Sequence, residues 1–446
     1  MIFYYLVVLF SAVPNHPWFG AEVGGGITVI KITGILALLS ALIYLGMRKS
    51  FPAFFSAWPI RFYLILQIIV CVSFVTEQVG GVNFAGVGSP IMQYFSIGLL
   101  YFTTLTFVDS PVRLRRTLLA LIGAVGIASL YALREWQREG FSGAFRVGWV
   151  AGDSNYLAAM CLLTLPLSYY LYREKGPRWE RFFCLICLFM AVLAFVAASS
   201  RGGLVGLGLG FLYVLIRSRR RTTILVFALL LLPLMLLSPL SPIKRFTHPD
   251  YGDTVSVNTH KALWVAGLKA IEQNPITGLG LGAFKGTIRK TGALNEIMHE
   301  QGVGLMAHNT YLEYAAELGI PAFLLFCSFL LSTLLLLGKV RKRALAQGES
   351  FFLAAATGLQ GGIVGFCGAA FFISAEYIKP FWIIAFLAPC MYSLLQQQPA
   401  TDSTLMTAGR LAGDQGPALA TRRGAPVATT SRQDLLFRAK PIRSRR

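Results

Sequence analysis

Residues 308–338 read HNTYLEYAAELGIPAFLLFCSFLLSTLLLLG, a polar helix start running into a long apolar stretch. Thr310 and Glu313 have capping-box spacing, which predicts a helix start at Thr310 with its first N–H groups satisfied. Gly319 and Pro321 should end that short helix and start the apolar run Phe323–Leu337. His308 then stands at a helix N-terminus, where the partial positive charge attracts anions, beside a segment long enough to cross a bilayer.

The same kind of apolar run recurs along the whole chain. Mean hydropathy is +0.62, and 55% of the 446 residues are hydrophobic, which excludes an ordinary soluble domain. With roughly 17–25 residues needed per crossing, about twelve spans are expected near 2–13, 27–47, 60–79, 90–108, 117–135, 154–172, 182–199, 203–216, 222–239, 320–338, 351–373 and 381–396. The expected fold class is therefore an all-α integral membrane protein. Residues 1–239 read as an N-terminal transmembrane bundle, 240–319 as a long outward (periplasmic) loop with short helices, and 320–396 as C-terminal transmembrane helices. Residues 397–446 read as a disordered, basic cytoplasmic tail. No Ala-x-Ala site follows the first apolar run, so it is read as a retained span.

Lys and Arg collect in alternate loops: Arg48/Lys49, Arg113/Arg115/Arg116, Arg173/Lys175/Arg178/Arg181, Arg217/Arg219/Arg220/Arg221 and Lys339/Arg341/Lys342/Arg343. By the positive-inside rule these loops and both termini face the cytoplasm, and 240–307 faces outward. The net charge of +20 is thus mostly topological, and no nucleic-acid partner is expected. The tail holds nine basic and three acidic residues and could touch anionic membrane lipid. All seven cysteines fall in expected spans, so no disulfide framework or zinc site is read from them.

The five histidines, His16, His248, His260, His299 and His308, all fall in expected outward segments, which places the titratable chemistry on that face. Arg201 is the sole charge between two apolar helices, a position that marks either function or snorkelling. Gly202, Gly206 and Gly210 recur every fourth residue, which suits close helix packing. Residues 259–273 show helical spacing at Leu263, Val265, Leu268 and Ile271, ended by Asn274-Pro275. Gly278, Gly280 and Gly282 follow, with Lys285, Arg289 and Lys290 beside them. Such glycines would let backbone N–H groups approach a phosphate. His248, Asp250, Asp253 and His260 match no metal spacing, and neither metal nor cofactor is expected.

Four motifs in order carry a resemblance: Gly-Asp-Ser-Asn-Tyr-Leu-Ala (152–158), Ser-Arg-Gly-Gly (200–203), Trp264 followed by Asn-Pro-x-x-Gly-x-Gly-x-Gly-x-Phe (274–284), and His-Asn-x-Tyr-Leu-Glu-x-x-x-Glu-Leu-Gly (308–319). Together they resemble the O-antigen ligase family of bacterial membrane glycosyltransferases. That family includes repeat-unit polymerases and protein O-oligosaccharyltransferases. The resemblance implies transfer of a glycan from undecaprenyl diphosphate to an outward-facing acceptor such as lipid A–core. It further implies a metal-independent, inverting reaction at the periplasmic face of the inner membrane. His308 and Arg201 are the implied catalytic residues, and Asn309, Glu313, Asp153 and Asn155 fall within the matching motifs as substrate contacts. Two positions depart from the pattern. His260 stands where relatives carry Arg four residues before the Trp, and Ala322 stands where they carry Gly.

The chemistry is intelligible from the side chains. Arg forks suit phosphate, so Arg201 and Arg289, with Lys285 or Lys290 and His260, would hold a diphosphate. His308 would take or orient the acceptor proton, its pKa depressed by a nearby Arg. Glu313 and Glu317 would orient His308 or the acceptor, or simply cap and face solvent. A transporter is the rival class, but no internal repeat is evident and mid-span charges are few, Lys31 being the clearest.

Overall fold

The computed structural model describes residues 1–16, 22–24, 27–47, 57–79, 90–141, 146–217, 251–285 and 306–397, with isolated positions between 222 and 247. The expected ninth span, Arg289, Lys290, His248, His299 and the tail beyond residue 397 lie outside the described residues. By contacts the chain divides into Met1–Pro399 and Ala400–Arg446, and every helix and strand named below belongs to the first unit.

Helices stand at the other eleven expected spans: α1 (Ile2–Phe10), α2 (Val29–Met47), α3 (Trp58–Val79), α4 (Pro90–Phe107), α5 (Pro111–Arg138), α6 (Ser154–Arg173), α7 (Arg178–Ala198), α8 (Arg201–Arg217), α10 (Thr310–Gln347), α11 (Ser350–Ala369) and α12 (Lys379–Gln397). The helix α9 (Tyr251–Gln273) lies in the segment read as a loop, and begins eight residues before the periodicity suggested. A two-stranded hairpin, β1 (Glu22–Gly24) and β2 (Ile27–Thr28), precedes α2 and qualifies the all-helical expectation. Among the described residues six helices are long and apolar enough to cross a membrane: α2, α3 over Trp58–Val75, α5, α7, α10 and α11.

The centre of the bundle is α11, packed on α6, α8 and α10. Small residues make this possible. A Cβ on Gly206 of α8 would run into the Gly365 carbonyl of α11, and one on Gly358 would come within 2.6 Å of the Leu167 Cα of α6. The four-residue glycine spacing of α8 therefore serves backbone-to-backbone contact. Rings from α3, α10, α11 and α12 fill the neighbouring core, with Trp382 stacked on Phe329 at 5.3 Å and Phe366 on Phe381 at 4.6 Å.

The helix α10 breaks where the sequence indicated. Gly319 has φ 83° and ψ 170°, a conformation open to glycine, and the Ile276 carbonyl presses against the site a Cβ would occupy. The backbone freed at this break is satisfied from the preceding segment, since Ile320 N–H donates to the Pro275 carbonyl at 2.8 Å.

The two ends of these helices differ in kind. At one end Arg115 (start of α5) bonds Glu174 (end of α6) at 2.7 Å and Glu180 (α7) at 2.5 Å, and Ser350 (start of α11) donates to Glu174 at 3.2 Å. Arg113, Asp109 and Tyr44 tie α5 to α4 and α2 at the same end. Arg173, Arg178, Arg217 and Lys339–Arg343 all belong to this end, because α6, α8 and α10 finish there and α7 begins there. At the opposite end lie Asp153, Arg201, His308 and the loop joining α11 to α12.

Candidate active site

Asp153, Arg201 and His308 are each placed by a helix terminus, while His260 and Trp264 stand within α9. Asp153 caps α6, accepting from Asn155 N–H and from Tyr156 N–H at 3.4 Å. The Ser200 hydroxyl accepts from Gly203 N–H at 3.0 Å, which sets Arg201 as the first residue of α8. Asn309 caps α10, its side-chain oxygen accepting from Tyr311 and Leu312 N–H groups, both at 3.1 Å. The capping box is therefore displaced by one residue. Thr310, expected as the cap, instead donates its hydroxyl to the Ile373 carbonyl at 2.7 Å and accepts from Ala375 N–H at 2.8 Å. This locks the start of α10 to the loop between α11 and α12.

His308 has φ 49°, a left-handed conformation that costs a non-glycine residue about 1 kcal/mol or more. It is held there by its own N–H, which donates to Ser374 Oγ at 3.0 Å. Ser374 Oγ in turn donates to the buried Glu313 carboxylate, and Tyr156 OH donates to the Ser374 carbonyl at 2.9 Å. Glu313 thus positions the His308 main chain through Ser374.

The rings of His308 and His260 lie 5.0 Å apart, with Trp264 edge-on to His260 at 6.4 Å. His260 Nδ1 and Trp264 Nε1 are both buried without a hydrogen-bond partner among the described residues. Buried polar atoms are nearly always partnered in finished structures, so these two point to something the site receives. Burial first, then the charges of His308 and Arg201, push the pKa of His260 down to about 4. His260 is therefore neutral at pH 7 and meets a phosphate as a neutral group, not as the cation that replaces an arginine. The pKa of His308 is lowered by burial, while Asp153 works in the opposite direction. The depressing arginine expected beside His308 acts on His260 instead.

Other expectations separate from this cluster. Asn155 Oδ1 accepts from Arg146 at 2.9 Å and from Ser200 Oγ at 2.8 Å, so that atom braces α6 against the α7–α8 turn. Lys285 is exposed at the end of the described loop and acts electrostatically on the carboxyls of Glu313 and Glu376. The glycine-rich segment uses its N–H groups internally. Leu279 and Gly280 donate to the Ala316 and Glu317 carbonyls at 2.8 and 2.9 Å, Leu281 donates to Ser73 Oγ, and Gly282 and Phe284 donate to the Glu317 carboxylate. Those amides are not available to a phosphate, and Glu317 fastens the loop. A small core of Leu263, Ala270, Phe284, Ala307 and Ala316 pins α9 and the loop to α10. Of the apolar residues whose spacing marked this helix, Leu263 is buried and Val265 and Leu268 are exposed.

Three residues escaped the sequence reading. Arg146 spans from Asn155 to the Ala198 carbonyl, and Ser374 holds His308. Glu376 is 4% exposed, and neither carboxylate oxygen has a partner among the described residues. Burial, and after it the neighbouring charge of Glu313, hold its pKa well above the usual carboxylate range. The available signal was that Glu376 is the sole charge between Ser350 and Lys379.

The fold is that of a multi-pass helical membrane protein, with a histidine pair and an arginine gathered at one end of the bundle. Residues 185–327, about a third of the chain, match the family model described as O-antigen ligase (Wzy_C). That stretch contains Arg201, His260 and His308, and through it the chain is similar to the O-antigen ligase family. No curated protein matches the chain.

Proposed function

We propose that this protein moves a glycan from undecaprenyl diphosphate onto an outward-facing acceptor hydroxyl, lipid A–core in the ligase reading, at the periplasmic face of the inner membrane. The observation that carries the proposal is the meeting of Arg201, His260, Trp264 and His308 from two helices and one helix-capping turn, at the end of the bundle opposite the basic clusters.

In the displacement, the bond between the anomeric carbon and the phosphate oxygen breaks as the acceptor oxygen bonds the opposite face of that carbon. The acceptor proton passes to His308, whose lowered pKa keeps it unprotonated and able to accept at neutral pH. Arg201 stabilises the charge that collects on the leaving diphosphate. In a water-poor site such a contact is worth several kcal/mol. His260 and Trp264 supply neutral N–H groups to the diphosphate or the sugar. Arg289, with Lys285 or Lys290, remains a candidate for further diphosphate contacts, and Asn309 and Glu313 for holding the His308 turn. The reaction requires no metal.

The test is to analyse lipid-linked glycans in a deletion strain with and without added-back wild-type or His308→Ala protein. Long undecaprenyl-linked chains accumulating without surface attachment support a ligase. Single repeat units accumulating indicate a polymerase, and glycans missing from secreted proteins indicate a protein O-oligosaccharyltransferase. An unchanged lipid-linked pool rejects glycan transfer and favours a transporter.

A further inference from the structure

At the end of the bundle far from His308 the helices leave a cavity of about 780 Å³ between the start of α3, the end of α8, the second half of α10 and the end of α12. Along α10 some thirty residues separate it from His308, roughly 45 Å of helix at 1.5 Å per residue. It is therefore unrelated to the histidine site. Four cations line it, Arg217, Lys339, Arg341 and Lys342, and no carboxylate does so among the described lining residues. This is unlike the rest of that end, where Arg113 and Arg115 are matched by Asp109, Glu174 and Glu180. Arg341 Nε and Gln360 Oε1 are both buried without hydrogen-bond partners among the described residues, and both residues line the cavity.

The other walls are largely apolar, with Ser332, Ser393 and Gln396 among them, and open sideways. Trp58 and Leu335 line the cavity and are 62% and 59% exposed on the outer surface of the bundle. Trp58, Tyr213 and Tyr392 all fall near helix ends, the level at which aromatic belts meet headgroups. A free anion would use only the cationic part of such a space. A molecule with an anionic head, hydrogen-bonding groups and hydrocarbon tails would use all of it.

We propose that this cavity binds the phosphate headgroup of an anionic glycerophospholipid of the inner leaflet. Its acyl chains run out past Trp58 and Leu335. The guanidinium of Arg341 and the ammonium groups of Lys339 and Lys342 take the phosphate, and Gln360 Oε1 accepts from a headgroup hydroxyl.

The experiment is native mass spectrometry of the full chain, purified in detergent and delipidated. It is offered in separate arms phosphatidylglycerol, phosphatidylcholine of the same acyl composition, and inorganic phosphate. Phosphatidylglycerol should remain bound at activation energies that strip phosphatidylcholine. The Lys339→Gln/Lys342→Gln double variant changes two exposed lysines and leaves the core intact. It should bind phosphatidylglycerol more weakly by about fivefold for each charge removed. Arg341→Gln should do the same, and Lys269→Gln at the opposite end should not. Equal retention of phosphatidylcholine overturns the proposal, as does a double variant that keeps phosphatidylglycerol as well as wild type. Displacement of phosphatidylglycerol by millimolar inorganic phosphate would reassign the cavity to a free anion and also overturn it.

Discussion

The two ends of α5, α6, α7 and α11 use charge in opposite ways. At the basic end, ion pairs bridge helices: Arg115 alone engages Glu174 and Glu180, and Glu174 also takes the Ser350 hydroxyl. At the histidine end the titratable groups are held back from ionising. The pKa of His260 is pushed down to about 4, that of His308 is lowered, and that of Glu376 is raised, in each case chiefly by burial. Groups that pair in this way fix helix positions and are not free to react. Burial without full pairing leaves groups poised to change protonation when substrate arrives.

The comparison is broken most severely at His308. His308→Ala should lower transfer by about 10²–10⁴-fold if its ring is the base, with thermal stability close to wild type. Purified protein with a lipid-diphosphate donor measures this directly, and transfer within tenfold of wild type would remove the ring from the chemistry. Next is Arg201→Lys, which keeps the charge and loses the fork. A fall of about 10²-fold in kcat with KM little changed is expected if Arg201 acts on charge that develops only in the transition state. A rise in KM alone would make it a ground-state contact.

At the other end the same style of substitution should act on stability alone. Arg115→Met strands Glu174, whose side chain is 5% exposed, without its cation. Removing one partner of a buried pair costs about 3–5 kcal/mol, and here about 2 is expected because Arg115 is itself a quarter exposed. Thermal denaturation in detergent should show the loss, with transfer per folded molecule unchanged. A selective loss of kcat would mean the two ends are coupled.

The degree to which each region was legible follows from the range of the forces involved. Helix positions, the Gly319 break and the gathering of basic residues at one end depend on local pattern, and the apolar runs with their flanking charges carried them. The site motifs were local for the same reason, since Asp153, Ser200 and Asn309 cap helices, although the capping-box spacing put the cap of α10 one residue late, at Thr310. Ser374, Glu376 and Arg146 were not, because their roles depend on contacts between residues far apart in the chain or on burial created by other helices. Glu317 was misread for a related reason. Its place one turn after Glu313 suggested a shared task, but the loop at 279–284 folds back and takes its carboxylate.

The strain at His308 gives a subtler test. Ser374→Ala leaves the His308 N–H and the Glu313 carboxyl without their shared partner. The expected effect is about 1–2 kcal/mol, seen as a roughly tenfold fall in kcat with modest loss of stability. Ser374→Thr, which keeps the hydroxyl, should recover most of it. If both variants are equally impaired, the serine matters for its size and not for its hydrogen bonds.

The smallest effect expected is also the most diagnostic, because it concerns protonation alone. Asp153 raises the pKa of His308 against the larger lowering by burial. Asp153→Asn keeps a good helix cap for α6 and removes only the charge. With that charge gone the pKa of His308 falls further, so the base stays neutral to lower pH. In wild type, kcat/KM should decline as pH falls through a value below 6.5, the ordinary histidine pKa. In the variant that acid limb should move to lower pH by a fraction of a unit, with a slightly lower plateau from the weaker base. A limb that moves upward, or one that stays fixed while the plateau collapses, would show that Asp153 acts as a direct substrate contact and that the titrating group is not His308.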